Sequence, residues 1–433
     1  MEFVFWLADN FFGTPAILIG LIVLIGLLLQ KKRANQVITG TFKAIIGFLI
    51  ITAGAGIITG SLEVFEPLWA EVFGLDYASI SNYMGQETFN AEFGSVVTLS
   101  MTFGFLINVL LARFTPLKYI YLTGHMMFWT STIFAGIIVH ASGGNANMLG
   151  MVAFLSIVLG IYWTVQPAIV QPFMRKIMGN NEVALGHTSA SVGLLSALAG
   201  KLVGKNSQNT EDVKLPKGLE FLRDSNVITA LTMALLFVSG AIIITLRNSP
   251  GSEELEAMAG SQSFIVYALI QSFTFAAGIA VVLTGVRMFI GEIVPAFRGI
   301  ATKIVPGAKP ALDNPIVFPS APNAVIVGFI GAFLGALVWL AVLGNTVSYI
   351  FVPTMIVLFF HGATAGVFGN ITGGIRGAFM GGLITATVVA WGQFVMVRML
   401  LPTTVPDTAM WAADSDMFIL GPIVYWLAHL FFG

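Results

Sequence analysis

The sequence predicts an all-α polytopic membrane protein of about eleven transmembrane helices, built as an inverted five-helix repeat with two re-entrant hairpins. Three observations predict it. Hydrophobic residues make up 57% of the 433-residue chain and charged residues only 9%, where soluble domains carry about a quarter charged residues. The apolar residues fall in continuous runs of roughly helix-spanning length, not in the short alternating segments of a β-barrel. The cations gather at one set of run ends, as they do on the cytoplasmic side of a membrane.

The first run, Thr14 to Leu29, is followed by Lys31, Lys32 and Arg33. A signal peptide places its basic residues ahead of the apolar stretch, so this run reads as the first helix. Further candidate spans cover about 44–60, 94–112, 120–140, 148–170, 227–246, 263–290, 323–343, 346–366, 377–397 and 417–432. With the N-terminus outside, eleven spans bring all of the 20 Lys and Arg to the inner side except Arg247, Arg287 and Arg398. The outer loops then carry acids: Glu63, Glu66, Glu71 and Asp76, then Glu253, Glu254 and Glu256, then Asp407, Asp414 and Asp416. This threading leaves the C-terminus inside. The largest inner segment, about 171–226, is polar and mixed in charge, and reads either as a docking face for a cytosolic partner or as a solvated connector.

Residues 54–74, GAGIITGSLEVFEPLWAEVFG, and 285–307, GVRMFIGEIVPAFRGIATKIVPG, share a Gly six residues before another Gly, an apolar stretch, a Phe and a closing Gly. The first copy runs inward-to-outward and the second outward-to-inward. A single membrane domain over 1–433 therefore divides into a first repeat at about 14–170, a second at about 227–397, and an extra helix at about 417–432. Each copy leads into a stretch too polar to span and too apolar for a free loop, about 67–93 and about 299–324, the latter with five prolines. Such stretches fit re-entrant hairpins or surface loops. Non-helical backbone at membrane depth has to be buried in protein or line a cavity.

Polar residues in so apolar a chain are few, and each is a functional candidate. Asp313 lies between Pro310 and Pro315. Its carboxylate can accept two sugar-hydroxyl hydrogen bonds and activate one hydroxyl, or it can cap the following helical turn. His125 in LTGHMMFW can donate and accept toward a polyol. His187 in GHTSAS precedes a run of small hydroxyl residues. Asn323 in SAPNAV and His361 in FFHGATAGVFGN complete the set, while His140 and His429 look peripheral. The chain has no cysteine, which excludes disulfides, thiolate nucleophiles and cysteine metal sites. There is no GxxxxGK[ST] loop, HExxH or GxSxG. No cofactor, metal or nucleic-acid partner is expected.

On the stretches AGAGIITG (53–60), LTGHMMF (122–128), Gly186–His187, TGVRMFIGEI (284–293), PGAKPALD (306–313), SAPNAVIVGF (320–329) and ATAGVFGN (363–370), the sequence resembles the ascorbate-specific IIC component of the bacterial phosphotransferase system. The resemblance covers nearly the whole chain. It implies an eleven-span fold with an inverted repeat and two re-entrant hairpins. It also implies a homodimer embedded in the lipid of the bacterial cytoplasmic membrane, and an elevator-like movement of a core domain. Sugar is then phosphorylated on arrival by a separate cytosolic IIB component, supplied by IIA. The phosphodonor on IIB is a phosphocysteine, in keeping with a cysteine-free chain that is not catalytic alone.

By motif, His125, His187 and Asp313 match sugar-contacting positions of that family. Two positions depart from its pattern: Trp129 and Thr188 stand where glutamines are expected, four residues after the first histidine and directly after the second. Trp offers one donor and a stacking face in place of an amide, and pockets built on hydrogen bonds discriminate strongly when a partner is lost. The expected substrate-binding set is His125, Trp129, His187, Thr188, Asp313, Asn323 and His361. The expected substrate is L-ascorbate or a related sugar or polyol, with a pentitol or hexitol as the alternative. An ion-coupled secondary sugar transporter and a non-transporting receptor or scaffold are the rival functions.

Overall fold

A computed structural model describes residues 15–73, 86–144, 146–213, 224–247, 252–347, 355–396 and 414–433. In chain order the helices are α1 Pro15–Leu29, α2 Ala34–Phe73, α3 Gln86–Phe114, α4 Gly124–Ala141, α5 Met148–Met178 and α6 Ala190–Val203. They continue with α7 Ser225–Arg247, α8 Ser252–Ala259, α9 Phe264–Lys303, α10 Pro322–Thr346, α11 Met355–Val395 and α12 Ser415–Phe432. Eight of the described helices are long and apolar enough to cross a membrane. Large apolar side chains such as Leu235, Leu246 and Trp426 point outward, as they do where lipid is the solvent. The chain is an all-α polytopic membrane protein.

The two stretches that share the glycine pattern lie on α2 and α9, each 40 residues long. These helices pack antiparallel and closely. A Cβ on Gly54 would sit 2.7 Å from the Val282 backbone nitrogen, and one on Gly285 would sit 2.7 Å from that of Ile51. Small residues let backbones approach in this way where no hydrophobic effect drives association.

The expected spans at 346–366 and 377–397 appear as the two arms of α11. The chain reverses at Gly374, with φ 56° and ψ −147°. The arms then lie side by side, Gly369 against Gly377 and Ala365 against Gly381.

Three short strands, β1 Tyr119–Tyr121, β2 Ala184–Leu185 and β3 Lys309–Leu312, interrupt the helical pattern. They form one parallel sheet in the order β1-β3-β2. The strands follow α3, α5 and α9 in sequence. Buried strand backbone must be paired, and the outer edges of this sheet are closed by side-chain amides. Asn108 on α3 donates through Nδ2 to the Tyr119 carbonyl at 3.0 Å and accepts at Oδ1 from the Tyr121 N–H at 3.0 Å. It thus replaces a fourth strand. On the other edge Gln171 donates to the Val183 carbonyl at 3.0 Å and Gln166 to the His187 carbonyl at 3.1 Å.

Replacing Asn108 with Leu leaves two buried backbone groups unpaired, each costing about 1–3 kcal/mol. We expect the thermal midpoint of the detergent-solubilised variant to fall well below wild type. An unchanged midpoint would show that the strand edge needs no amide.

The stretch expected at about 67–93 continues α2 to Phe73 and opens α3 at Gln86, and residues 74–85 lie outside the described residues. The stretch expected at about 299–324 becomes the end of α9, then β3, a 3₁₀ helix at Asn314–Ser320, and the start of α10. Its mid-point is deep in the protein, where the Asn314 side chain donates to the Phe360 carbonyl at 3.0 Å. Within the expected inner connector, β2 is buried and α6 buries one face, while its Leu195, Leu198 and Leu202 are exposed.

Helix α12 reaches along α5. Its start is bound at mid-depth beside Tyr162 of α5, and its last residue, Phe432, meets Gly150 and Phe154 near the start of α5. The first helix ends at the opposite face, where Gln30 donates to the Pro295 carbonyl of α9 at 2.7 Å.

Candidate functional site

The site is built at the carboxyl ends of the three strands. Parallel strands send their following residues out at the same edge. Asp313 leaves central β3, His187 leaves β2 after Gly186, and His125 follows β1 at the start of α4. The carboxylate is thereby placed between two imidazoles from distant parts of the chain. His125 Nε2 lies 3.5 Å from Asp313 Oδ2, and His187 Nε2 lies 3.8 Å from Oδ1. Both separations exceed a direct hydrogen bond, and a ligand hydroxyl can bridge such gaps. Asp313 Oδ1 also accepts from the Asn314 N–H at 2.8 Å. The residue is therefore both a helix cap and a candidate ligand.

The protonation of the site follows from its contacts. His187 Nδ1 accepts from the Ser189 N–H at 3.0 Å, which leaves the ring proton on Nε2, aimed at Asp313. His187 and Asp313 lie outside the membrane-spanning helices. Burial, reinforced by His361 and His125, holds the His187 imidazole well below its ordinary range, so it is neutral. Burial also pushes the Asp313 carboxyl up, while His125 pulls it back down. The His187 side chain is 5% exposed, that of Asp313 23% and that of His125 50%, so the site opens on the His125 side.

His361 stands one layer behind. Its Nε2 is 2.9 Å from Asp414 Oδ1, its Nδ1 meets the Ser415 hydroxyl, and its ring packs edge-on against His187 with centroids 5.1 Å apart. Both ring nitrogens are thus engaged by α12 and its cap. Asp416 accepts from the Tyr162 hydroxyl at 2.8 Å and from the Ser191 N–H at 2.8 Å, and its own N–H donates to the Thr188 carbonyl at 2.9 Å. Asp414 and Asp416 are 5% and 3% exposed, although the sequence reading places both in an outer loop. Their signal was present: two carboxylates at the mouth of an apolar run, where acids inside the membrane are functional by default.

The remaining expected residues divide. Thr188 is buried next to α4, its hydroxyl 3.4 Å from Met126 Sδ. Trp129 is half-buried one turn beyond His125 on the same helix, and residues four apart share a face. Asn323 belongs to another cluster. Its backbone N–H donates to Glu211 Oε1 at 3.0 Å and its side chain to the Thr210 carbonyl at 3.4 Å, while Asn370 accepts from the Thr210 N–H. A small apolar pocket lined by Leu122, Thr123, Leu312 and Asp313 separates the site from Ile51 of α2 and Phe289 of α9.

These elements have relatives. The chain is 27% identical to the ascorbate-specific PTS system EIIC component of Mycoplasma pneumoniae, over 91% of this chain and 66% of the relative. It therefore spans just under two thirds of that relative's length. The family described as PTS system sugar-specific permease component, EIIC-GAT, matches residues 10–416, which include His125, His187, Asp313, His361 and Asp414. All of the helices and strands except most of α12 lie within that match, as does the site, and the chain belongs to the EIIC-GAT family of phosphotransferase-system sugar permeases.

Proposed function

We propose that this protein is the membrane-embedded translocating subunit of a sugar phosphotransferase system. It takes up L-ascorbate, or a related sugar, pentitol or hexitol, and hands it to a phosphorylated cytosolic IIB component. The observation that carries the reading is Asp313 held between His125 and His187 at gaps a hydroxyl can bridge. Asp313 accepts the hydrogen bond of the reacting hydroxyl and draws off its proton as the oxygen attacks phosphorus. The S–P bond of the IIB phosphocysteine breaks, and the thiolate leaves with the electron pair. His187, neutral and donating from Nε2, holds Asp313 from the buried side, and half-exposed His125 meets the sugar from the open side.

The site's strand ends face the α2–α9 pair across apolar contacts, a boundary suited to sliding. Movement of the site-bearing elements across it, within a homodimer whose strand-starting face is cytoplasmic, completes the reading. The decisive measurement is product chemistry in proteoliposomes. We expect sugar phosphate, formed only when phosphorylated IIB is present. Free sugar accumulating with dependence on a proton or sodium gradient would replace this reading with ion-coupled transport.

Trp129 and Thr188 bear on which sugar is carried. An amide at 129 restores a donor and an acceptor one turn from His125, worth about 1–3 kcal/mol in discrimination for a site built on hydrogen bonds. We expect Trp129→Gln to shift preference from pentitols toward ascorbate by about tenfold in competition binding. No shift in that ratio would remove Trp129 from the site.

A further inference from the structure

The three strands have a second edge. At their amino ends four cations gather: Lys309 and Arg175 beside Tyr119, and Lys118 and Arg113 on the stretch that leads into β1. Lys309 Nζ lies 5.2 Å from the centre of the Tyr119 ring. The Lys309 N–H donates to the Lys118 carbonyl at 2.8 Å, which ties the start of β3 to the residue before β1. Lys118 Nζ donates to the Arg113 carbonyl at 3.1 Å. Arg175 is close enough for its charge to act on both Tyr119 and Lys309. Lys309 is half-buried, and burial first, then Arg175, lowers its ammonium pKa from the ordinary value.

Ordinary causes explain part of this cluster. Arg113 and Arg175 lie in the last turns of α3 and α5, where the helix dipole favours cations. Cytoplasmic ends collect Lys and Arg in any case. Neither cause accounts for Lys309, a half-buried cation at the start of a central strand, packed on the Tyr119 ring. Among the described residues, no carboxylate lies within salt-bridge distance of any of the four, whereas Glu182 is matched with Arg298. An uncompensated cationic cluster, with Arg113 and Arg175 exposed and Lys118 and Lys309 half-buried, is complementary to an anionic partner. Its position is specific. From Lys309 to Asp313 is four residues of extended chain, about 13 Å, so the patch lies directly beneath the sugar site.

We propose that Arg113, Lys118, Arg175 and Lys309 form the docking point for the acidic, phosphoryl-bearing face of the IIB partner. The inference rests on the phosphotransferase reading above and adds where the partner seats. The double variant Lys118→Glu/Arg175→Glu tests it in nanodiscs of neutral phosphatidylcholine. An ascorbate-type IIB protein, phosphorylated on its cysteine, is titrated while sugar phosphate is measured. We expect the half-saturating IIB concentration to rise about tenfold or more, with the rate at saturation and the sugar's protection against heat unchanged. Added salt should raise the wild-type requirement and leave that of the variant nearly flat.

An unchanged IIB requirement would overturn the docking assignment. So would an effect seen only in bilayers containing phosphatidylglycerol, which would make the cluster an anchor for lipid headgroups. If the wild type itself yields no sugar phosphate with phosphorylated IIB, the transport reading has failed and the docking point with it. Should the double charge reversal not fold, Lys118→Gln and Arg175→Gln carry the same test, with a smaller rise expected and a flat response again decisive.

Discussion

Asp313→Asn is expected to reduce sugar-phosphate formation by about a hundredfold or more while leaving a folded protein. The side chains have nearly the same shape, and asparagine is as good a helix cap as aspartate. The bond from the Asn314 N–H to Oδ1 is therefore kept, and the 3₁₀ helix that follows is not undone. What is lost is the charge. Hydrogen bonds to an ionised acceptor are worth about 1.5–3 kcal/mol each, and two of them, to substrate hydroxyls, amount to two to four orders of magnitude in rate. The proton acceptor for the reacting hydroxyl disappears as well.

Removing a buried carboxylate should leave the thermal midpoint level or slightly higher, because the site no longer carries its desolvation cost. The pH profile gives a second readout. The reaction needs the carboxylate, so the wild-type rate falls as pH drops through the folded-state pKa. Burial has raised that pKa, and the acid limb should lie above the ordinary carboxylate range. The Asn variant should lose that limb from whatever activity remains. An Asn variant with half the wild-type rate or more would show that Asp313 is a cap and nothing else.

Much of this architecture is legible in the sequence, because lipid is a demanding solvent. Apolar run length and cation placement identify a polytopic helical protein, and the break between the spans at 346–366 and 377–397 coincides with the reversal at Gly374. His125, His187 and Asp313 stand out as candidates because polar residues are few in so apolar a chain, and the structure brings them together. The strands that assemble them were not legible. YIY, AL and KPAL are too short to show a period of two, and Pro310 argues against a central strand. Proline is tolerated there because the bonds to the flanking strands run through the N–H and carbonyl groups of Lys309, Ala311 and Leu312. The overlooked clue was the amides. Asn108, Gln166 and Gln171 each sit in an apolar helix, and each closes an edge of the sheet. Asp414 and Asp416 were misplaced for a different reason. Acids at the end of an apolar run look the same whether they face water or a buried histidine, and only packing separates the two cases.

Gly374→Val is expected to have the largest effect on stability, about 3–5 kcal/mol, and to leave little monodisperse protein after extraction in detergent. Two costs combine. At φ 56° and ψ −147° a branched side chain sits in a region only glycine occupies readily. Its Cβ would also come within 2.7 Å of the Gln208 carbonyl carbon, against the backbone of residues 207–208. That backbone cannot give way freely, because the Gln208 carbonyl accepts from the Ile375 N–H at 2.8 Å and the Ser207 hydroxyl accepts from the Arg376 N–H at 3.2 Å. Gly344→Ala is the internal control. It lies in α10, a Cβ there meets nothing within 4 Å, and alanine in a helix should be neutral or stabilising by roughly 0.5–1 kcal/mol. If Gly374→Val were as stable as wild type, α11 would not need its reversal and could run straight. Ala365 and Gly381 would then stand about 24 Å apart, at 1.5 Å per residue, instead of touching. The first arm also carries His361, which backs His187 against Asp313. A chain that loses the turn at Gly374 should therefore lose the sugar site as well, and sugar binding by the residual folded fraction measures that coupling directly.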